Sequence, residues 1–375
     1  MSEIRPFSPE HQQRAHISQP AQPRAVPSEP ITFYLPFKRD GLTAVPERAT
    51  DYWRWITANR SVGEGKYSWT LQTYLQLLEA GIPCRLSEEF PTAGIVVSHR
   101  DFLPVFMLPR SDVFLVCIKP DRKEHTWAQH YIVQNQRDAV LALRKGRNRT
   151  SVIPFWPQPS LVPRSASRGT HVEHAAYFGR LLNLTPELKD ARWADTLRSL
   201  GFTWSTVPLE AWNDYSTIDV TVSVRSFEET PAVVDPITNA DSKPPSKLIN
   251  SWLAGVPAIV GRESAYQTIR ESDLDYIEVS SPDEIKDALI RLRDNPKLYA
   301  AMVAHGHKRT VDYSTAATCR KWERALYEDI APSASAWRSR SSLGRTFTNV
   351  HGIVDYFAGL QHWKDLLTIA RNRRR

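Results

Sequence analysis

The segment from residue 218 to 261 holds the residue types that bind phosphate. The strand IDVTVSVR ends at Arg225, and the run KPPSKLINSWLAG places Lys243 ahead of a helix and Lys247 one residue inside it. A helix N-terminus offers free backbone N–H groups and the positive end of the helix dipole, so anions bind there. A lysine at that end opposes the dipole, and a bound anion would explain its presence. We therefore predict a diphosphate site at which Arg225, Lys243 and Lys247 supply the positive charge without a metal.

Weaker signals accompany these cations. Gly179 follows the strand AAYF and suits a turn at which a phosphate approaches the backbone closely. Glu263 and Ser264 follow the strand PAIVG, where they either meet a sugar or phosphate or form an ordinary strand-to-helix turn. Arg225 could itself be a solvated strand end. The sequence leaves these alternatives open.

A second group of candidates lies earlier in the chain, where the strand GIVVSH ends at His99 and Asp101 follows. Side chains at the carboxyl end of a parallel strand face the ligand cleft of an open α/β sheet. An imidazole has the pKa to take a proton from a hydroxyl at neutral pH, and Asp101 could act as the base instead or steer the acceptor. In the alternative interpretation, His99 only caps the strand end through a hydrogen bond to a neighbouring loop.

Alternating short apolar strands and helices must position these groups. The first alternation runs through ITFYLP, the loop Gly63-Glu-Gly-Lys-Tyr, the helix SWTLQTYLQLLEAG, the strands IPCRL, GIVVSH and VFLVCI, and a short helix HTWAQH. The proline-rich segment PFWPQPSLVPRSASRG interrupts the pattern. A second alternation follows: AAYFG, helix ARWADTLRSLG, strand IDVTVSV, helix SKLINSWLAG, and strands PAIVG and DYIEV before two final helices. Near-continuous apolar strands indicate parallel sheets covered on both faces, so the expected fold class is α/β with two Rossmann-like domains.

The run KPPSKLINSWLAGVPAIVG, followed by ESAY and LDYIEV, resembles the C-terminal nucleotide-sugar-binding half of bacterial GT-B glycosyltransferases related to family four. AAYFG resembles the first strand and glycine turn of that half. The Gly63-Glu-Gly-Lys-Tyr loop resembles the Gly-rich loop of the N-terminal half, which makes Gly63 and Gly65 acceptor-side candidates. The resemblance implies two domains facing each other across a cleft and a nucleotide-diphosphate sugar as donor. It further implies transfer to a hydroxyl of a glycan or lipid-linked acceptor, as in polysaccharide biosynthesis.

The sequence departs from that family at one pair of positions. Retaining members of family four usually carry two glutamates eight positions apart, and the second holds the ribose. Asn250 occupies the second position here and Ser242 the first. The resemblance therefore assigns Asn250 to the donor, where its amide can hydrogen-bond a hydroxyl. It leaves open whether the reaction retains or inverts configuration.

A length of 375 residues suits two domains, and their expected boundaries follow from the pattern. We expect a disordered tail over 1–30, an acceptor-side domain over 31–155 and a linker over 156–170. The nucleotide-sugar-binding domain is expected over 171–330 and a basic C-terminal segment over 331–375. Within that segment, apolar residues from 353 to 367 have helical spacing. This helix either packs back onto the N-terminal domain or lies on an anionic membrane surface.

The net charge of +7 is concentrated at the C-terminus. Residues 331–375 contain eight Lys/Arg and two Asp, a charge of +6, which leaves +1 for the rest of the chain. A nucleic-acid enzyme needs a basic surface across its body, so nucleic acid is not an expected partner. Cys84, Cys117 and Cys319 show neither pairing nor metal-ligand spacing, and the N-terminus has no apolar signal stretch. We therefore expect a cytoplasmic protein, peripheral to the membrane if the C-terminal helix binds lipid.

Two other functions suit the same framework. The absent glutamate pair allows a non-catalytic glycan-binding or scaffold protein with a GT-B framework. A nucleotide-sugar epimerase of the same architecture is the second. The preferred hypothesis is a metal-independent glycosyltransferase that uses no cofactor besides its nucleotide-sugar substrate.

Overall fold

A computed structural model of the chain describes residues 29–59, 64–104, 106–120, 122, 124–138, 149–227, 243–354 and 357–358. Two parallel sheets organise these residues, one in each half of the chain. The predicted fold class, α/β with two Rossmann-like domains facing each other across a cleft, is confirmed. The predicted N-terminal tail lies outside the described residues except for positions 29 and 30. In the described part of the chain, no helix is long and apolar enough to cross a bilayer.

The first half contains a six-stranded sheet in the order β2-β1-β3-β4-β5-β6. Every strand pair in it is parallel. Its strands are β1 Ile31–Tyr34, β2 Arg85–Ser87, β3 Gly94–His99, β4 Val113–Ile118, β5 His130–Val133 and β6 Arg149–Val152. The helices α1 Tyr52–Ala58, α2 Glu64–Tyr67 and α3 Thr73–Glu79 precede β2, and a π-helical turn, Ser68–Gln72, joins α2 to α3. The central strands β3 and β4 are buried along their whole length, as their unbroken apolar sequences predict.

The second half contains a five-stranded parallel sheet in the order β11-β10-β9-β7-β8. Its strands are β7 His174–Phe178, β8 Thr203–Val207, β9 Val220–Ser223, β10 Ala258–Gly261 and β11 Ile277–Val279. The helices α4 Ala191–Ser199, α5 Ser246–Ala254, α6 Ser264–Gln267, α7 Pro282–Asp294 and α8 Pro296–Arg309 connect and follow these strands. Gly255 ends α5 in the left-handed conformation with a φ of 70°, where glycine is favoured.

Three strands, β5, β6 and β8, have no counterpart among the predicted strands. β8 was missed because it is an edge strand, and its sequence TWSTV is half-buried to exposed and mostly polar. The expected helix HTWAQH is wrong: residues 125–129 form a turn and His130 begins β5. Pairing of His130–Val133 with β4 and β6 outweighs a weak local helical pattern.

The helices that end the described chain return to the first half. After α8, α9 Thr315–Arg324 continues through the π-helical turn Ala325–Ile330 into α10 Ala331–Arg338, and a further helix, α11, spans residues 342–354. Trp322, Leu326 and Trp337 are buried in the same apolar cluster as Phe33 of β1 and Val97 of β3. Residues 315–330 therefore pack with the first half, although the predicted second domain extends to residue 330. Sequence order does not reveal this return because the contacts span about three hundred residues.

Candidate functional site

A cavity of about 610 Å³ lies between the two halves, where the carboxyl ends of strands from both sheets meet. The first half contributes the end of β3 and the helices around the Gly-rich loop. The second half contributes the turn after β7 and the start of α5. Six predicted site residues line this cavity together: Gly65, His99, Asp101, Gly179, Lys247 and Asn250. This is the crevice at which ligands bind in open α/β sheets.

The start of α5 forms the charged part of the second-half wall. The helix begins at Ser246 with Pro245 at its N-cap, and the Pro245 side chain makes no capping hydrogen bond. Ser246 is therefore the first helical residue and not the cap that its residue type favours. Both Ser246 and Lys247 line the cavity, and the Lys247 ammonium lies 5.5 Å from the centre of the Tyr177 ring.

Gly179 makes room for that lysine. Its φ is +155°, and a Cβ added there would lie 2.7 Å from Tyr177 Oη and 2.9 Å from Lys247 Cε. Any larger residue would therefore displace the lysine side chain. Arg180, the next residue, also lines the cavity, and its carbonyl accepts a hydrogen bond from Tyr177 Oη at 3.0 Å. Arg180 was not a predicted site residue, although its place directly after Gly179 is a signal that could have found it.

Three other donor-side candidates, Arg225, Glu263 and Ser264, lie around this wall, not in it. Arg225 donates from Nη1 to Asn183 Oδ1 at 2.6 Å, and its Nε lies 3.4 Å from Glu263 Oε2. Asn183 lines the cavity, whereas Arg225 and Glu263 are not among the lining residues. Arg225 thus holds Asn183 in place from behind the wall. Ser264 begins α6 on the far side of Glu263.

Two hydrogen bonds join this wall to other parts of the chain. The backbone carbonyl of Lys243 accepts a hydrogen bond from Asn135 Nδ2 at 3.1 Å, which connects the approach to α5 with the end of β5. Asn250 Oδ1 accepts from the backbone N–H of Gln158 at 3.0 Å, so this oxygen is already engaged by the segment that joins the two sheets. Asn250 nevertheless lines the cavity, where its Nδ2 group can donate to a ligand. Ser242, its expected partner position, lies outside the described residues.

His99 is the last residue of β3 and is buried at the cavity. Its Nδ1 accepts a hydrogen bond from the backbone N–H of Asp101 at 3.0 Å, so the capping interaction considered for this residue is present. Burial lowers the pKa of His99 to about 4, although Asp101 acts in the opposite direction. The neutral ring with an occupied Nδ1 must carry its proton on Nε2. His99 can therefore donate a hydrogen bond from Nε2, but in this state it has no free lone pair with which to take a proton.

Asp101 is held as a carboxylate by Arg122. The two side chains form a bidentate pair, with Nε to Oδ1 at 2.7 Å and Nη2 to Oδ2 at 2.9 Å. Burial by itself would raise the pKa of Asp101, but the Arg122 hydrogen bond and nearby positive charge lower it overall. Both residues line the cavity. Arg122 was not predicted, because nothing in the loop sequence around it suggests that it turns back to the end of β3.

The Gly-rich loop is described in part. Gly63 lies outside the described residues, while Gly65 lies in α2 and lines the cavity beside Lys66. The Lys66 ammonium forms an ion pair with Asp40 Oδ2 at 2.6 Å and lies 5.0 Å from the centre of the Phe102 ring. The following π-helical turn, Ser68–Gln72, is buried and brings Ser68 and Trp69 to the cavity. Such turns are frequent at functional sites because they redirect side chains within a helix.

Aromatic and apolar residues complete the lining and were missed by the sequence reasoning. In the first half and the segment that joins the two sheets, these residues are Tyr52, Trp53, Ile56, Trp69 and Phe155. In the second half they are Phe178, Leu209, Trp212 and Tyr215. The Phe178 and Tyr215 rings stack with centroids 4.0 Å apart and an angle of 6°. Aromatic rings provide flat apolar surfaces for sugars and bases. In the described ranges, no group of three or more His, Cys, Asp or Glu is arranged to hold a metal ion.

Of the comparisons with known proteins, only the one with solved structures found similar proteins. No protein-family model matches the sequence, and no curated protein does. The structure of TarM is 8% identical with a TM-score of 0.46, and the match covers 68% of this chain and 58% of TarM. AviGT4, a glycosyltransferase involved in avilamycin A biosynthesis, is 13% identical with a TM-score of 0.48, covering 81% of this chain and 98% of that one. The pneumococcal O-GlcNAc transferase GtfA, solved with UDP and GlcNAc, is 14% identical with a TM-score of 0.40, covering 58% and 53%.

The fold and the place of its cavity define the class of protein. Two helix-flanked parallel sheets meet across a cleft, and the cavity lies at the carboxyl ends of their strands. The chain therefore has the GT-B architecture. It spans 58% of the length of TarM.

Proposed function

We propose that this protein is a glycosyltransferase that moves a sugar from a nucleotide-diphosphate donor to a hydroxyl of a glycan or lipid-linked acceptor, without a metal. One observation carries the proposal. The N-terminus of α5, with Lys247 lying over Gly179, faces the same cavity as His99 and Asp101 at the end of β3. Groups that can bind a diphosphate and groups that can exchange a proton thus lie on the two walls of one cavity of ligand size.

The second half would bind the donor. Its diphosphate would accept hydrogen bonds from N–H groups at the start of α5 and pair with Lys247 and Arg180. Fixed positive charge at this point stabilises the negative charge that develops on the leaving nucleotide diphosphate. Asn250 would donate from Nδ2 to a ribose hydroxyl, while its Oδ1 stays bonded to Gln158.

The first half would bind the acceptor and the transferred sugar. His99 would donate from Nε2 to a hydroxyl, since its Nδ1 is occupied by the Asp101 N–H. Asp101, ionised beside Arg122, is the group available to accept the proton of the acceptor hydroxyl. The aromatic residues Trp53 and Phe155 offer apolar surface to the ring faces of an acceptor sugar.

Ligand binding and turnover test this proposal together. Nucleotide diphosphates and their sugar conjugates are screened by thermal shift, because a ligand specific to the folded state raises the melting temperature. Release of nucleoside diphosphate from a stabilising conjugate is then measured with and without hydroxyl acceptors. Acceptor-dependent release supports the transferase. Stabilisation without any turnover would indicate a binding or scaffold protein, and isomerisation of the donor without release would indicate an epimerase.

Metal independence is tested in the same assay. The α5 N-terminus, Lys247 and Arg180 supply positive charge where the leaving group forms, so a chelator should leave the rate unchanged. Loss of the rate in chelator, with recovery on addition of magnesium or manganese, would overturn that part of the proposal.

A further inference from the structure

An apolar stripe runs along the outer face of α11, the helix of residues 342–354. Leu343, Phe347, Val350 and Val354 are all exposed, and Leu343 and Phe347 are exposed by 84% and 74%. Their spacing of four, three and four residues places them within an arc of about 60° on the helix. An exposed apolar stripe on one helix face is typical of a surface that contacts another molecule or a membrane.

The opposite face of α11 is already used by the protein. Asn349 is buried and its Oδ1 accepts a hydrogen bond from Gln129 Nε2 at 2.8 Å. Gly352 lies so close to the chain that an added Cβ would be 2.6 Å from Thr126 O. Arg345 pairs with Asp112 at 3.0 Å. The helix is therefore fixed on the first half, and its apolar stripe points away from the protein.

A second segment extends the stripe. Phe106 and Leu108, in the loop after β3, are each exposed by 82%. The Phe106 ring stacks on Phe357, with centroids 5.9 Å apart and an angle of 17°. The apolar surface is thus built from two distant parts of the chain that the fold brings together. We call the set Phe106, Leu108, Leu343, Phe347, Val350 and Val354 the apolar ridge.

The charge of the segment that contains α11 indicates what the ridge contacts. Residues 331–375, which include α11, carry eight Lys/Arg and two Asp, whereas the rest of the chain is nearly neutral. Arg338 and Arg340 lie just before the helix, and the sequence RNRRR ends the chain after it. Apolar side chains within a basic segment match a bilayer surface, where acyl chains lie beneath anionic headgroups. A ridge on a convex helix also needs no complementary groove to enter a fluid bilayer, as it would with a rigid protein partner.

We propose that the apolar ridge docks this protein on the surface of an anionic lipid bilayer. The ridge inserts into the headgroup and acyl boundary, and the cations of residues 331–375 bind the lipid phosphates. The proposal is independent of the glycosyl transfer proposed above, because no ridge residue lines the cavity.

Co-sedimentation of the full chain with phosphatidylcholine vesicles, with and without phosphatidylglycerol, tests the proposal. The wild-type protein should bind the phosphatidylglycerol vesicles preferentially, and high salt should weaken the binding. The double variant Leu343→Ser, Phe347→Ser should weaken it by at least about tenfold, since apolar contact is lost. The matched control Leu182→Ser, Val311→Ser removes side chains exposed by 87% and 67% in the second half and should bind like wild type.

Phe106→Ser, in the other segment of the ridge, provides a second independent variant and should also weaken binding. All of these side chains are exposed, so an unchanged melting temperature verifies that each variant is folded. Equal binding by wild type and the ridge variants would overturn the proposal, as would equal binding to both kinds of vesicle. A wild-type dimer that the ridge variants convert to monomer, with no vesicle binding, would overturn it in favour of a contact between two copies.

Discussion

In the second half the cleft wall contains a helix N-terminus, a glycine turn and the cations Lys247 and Arg180. In the first half it consists of aromatic rings around the buried His99 and the paired Asp101 and Arg122. Aromatic rings line both walls, but the second-half wall places its cations at a helix start, whereas the first-half wall holds a neutral histidine and a carboxylate that is paired with Arg122. The difference teaches that substitutions in the second half should act on nucleotide binding, whereas those in the first should act on stability in acid and on turnover.

The largest effect is expected from Lys247→Ala. Removing this ammonium should weaken nucleoside diphosphate binding by about 10- to 150-fold, the equivalent of about 1.5 to 3 kcal/mol for a charge-assisted contact. Calorimetric titration measures the affinity. Lys297→Ala is the matched control, because Lys297 is likewise the second residue of a helix, α8, but is exposed and away from the cavity. Unchanged affinity in Lys247→Ala would remove the lysine from the donor wall.

The substitution His99→Asn tests how much the neutral histidine of the first half contributes to the loss of stability in acid. The folded pKa of His99 is about 4, below its usual value of 6.5, so the unfolded chain takes up the proton first as the pH falls. The stability due to the neutral ring is complete above pH 6.5 and is lost as the pH falls towards 4. Asn can still accept the Asp101 N–H but does not titrate. The loss in unfolding free energy between pH 7 and pH 5 should therefore be smaller in the variant by about 2 kcal/mol.

Urea unfolding at both pH values measures this difference. Burial also lowers the pKa of His125 to about 4, so part of the acid sensitivity should remain in the variant. The second half provides the contrast: burial would raise the pKa of Asp219, but hydrogen bonds from Arg168, two backbone amides and Arg164 lower it to about 2. Its contribution is present above pH 3.8 and is lost only as the pH falls towards 2. An identical pH dependence in wild type and His99→Asn would contradict the assignment of a buried neutral ring.

Gly179→Ala should act on both the fold and the donor wall. The methyl group would meet Tyr177 Oη and Lys247 Cε, so Lys247 must move and donor affinity should fall by roughly tenfold. Gly81→Ala is the control for backbone strain, because Gly81 has a φ of +78° with nothing within 4 Å of the added Cβ. This control should lose about 1 kcal/mol of stability and keep its donor affinity. Equal affinities in the two variants, measured by calorimetry, would show that Gly179 does not position the lysine.

The smallest effect is expected from Asn135→Ala, which removes the hydrogen bond from the first half to the Lys243 carbonyl. A neutral hydrogen bond contributes about 0.5 to 1.5 kcal/mol, so kcat/KM for the donor should fall by about 2- to 10-fold. Asn213→Ala removes a similar side chain to backbone bond, to Ser160 O, outside the cavity and should leave kcat/KM unchanged. Equal effects of the two substitutions would mean that the bond across the cleft has no special part in donor binding.

Much of the second-half wall could be read from the sequence because it is local. Lys247 conflicts with the dipole of its own helix, and Gly179 directly follows its strand, so short-range rules suffice to select both. The strands β3, β4 and β10 were predictable for the same reason, since each is an unbroken apolar run. The edge strand β8 was not, because its mostly polar sequence has little local signal.

The first-half wall depends on contacts between distant residues. Arg122 reaches Asp101 from another loop, Trp69 is turned to the cavity by a π-helical segment, and Asn135 meets Lys243 across more than one hundred residues. The type and position of His99 predicted a titratable group at the end of β3. Its burial and the Asp101 N–H then decided that the ring is neutral and donates from Nε2.

The sequence by itself determined the α/β class, the two alternations of strand and helix, and the cationic helix start of the second-half wall. These follow from periodicity and from the chemistry of neighbouring residues. Only the tertiary structure decided that residues 315–354 return to the first half, that Arg225 lies behind Asn183, and that Phe106 joins the stripe on α11. The physical reason is that such contacts form between segments far apart in the chain, and their selection depends on how both cores pack together.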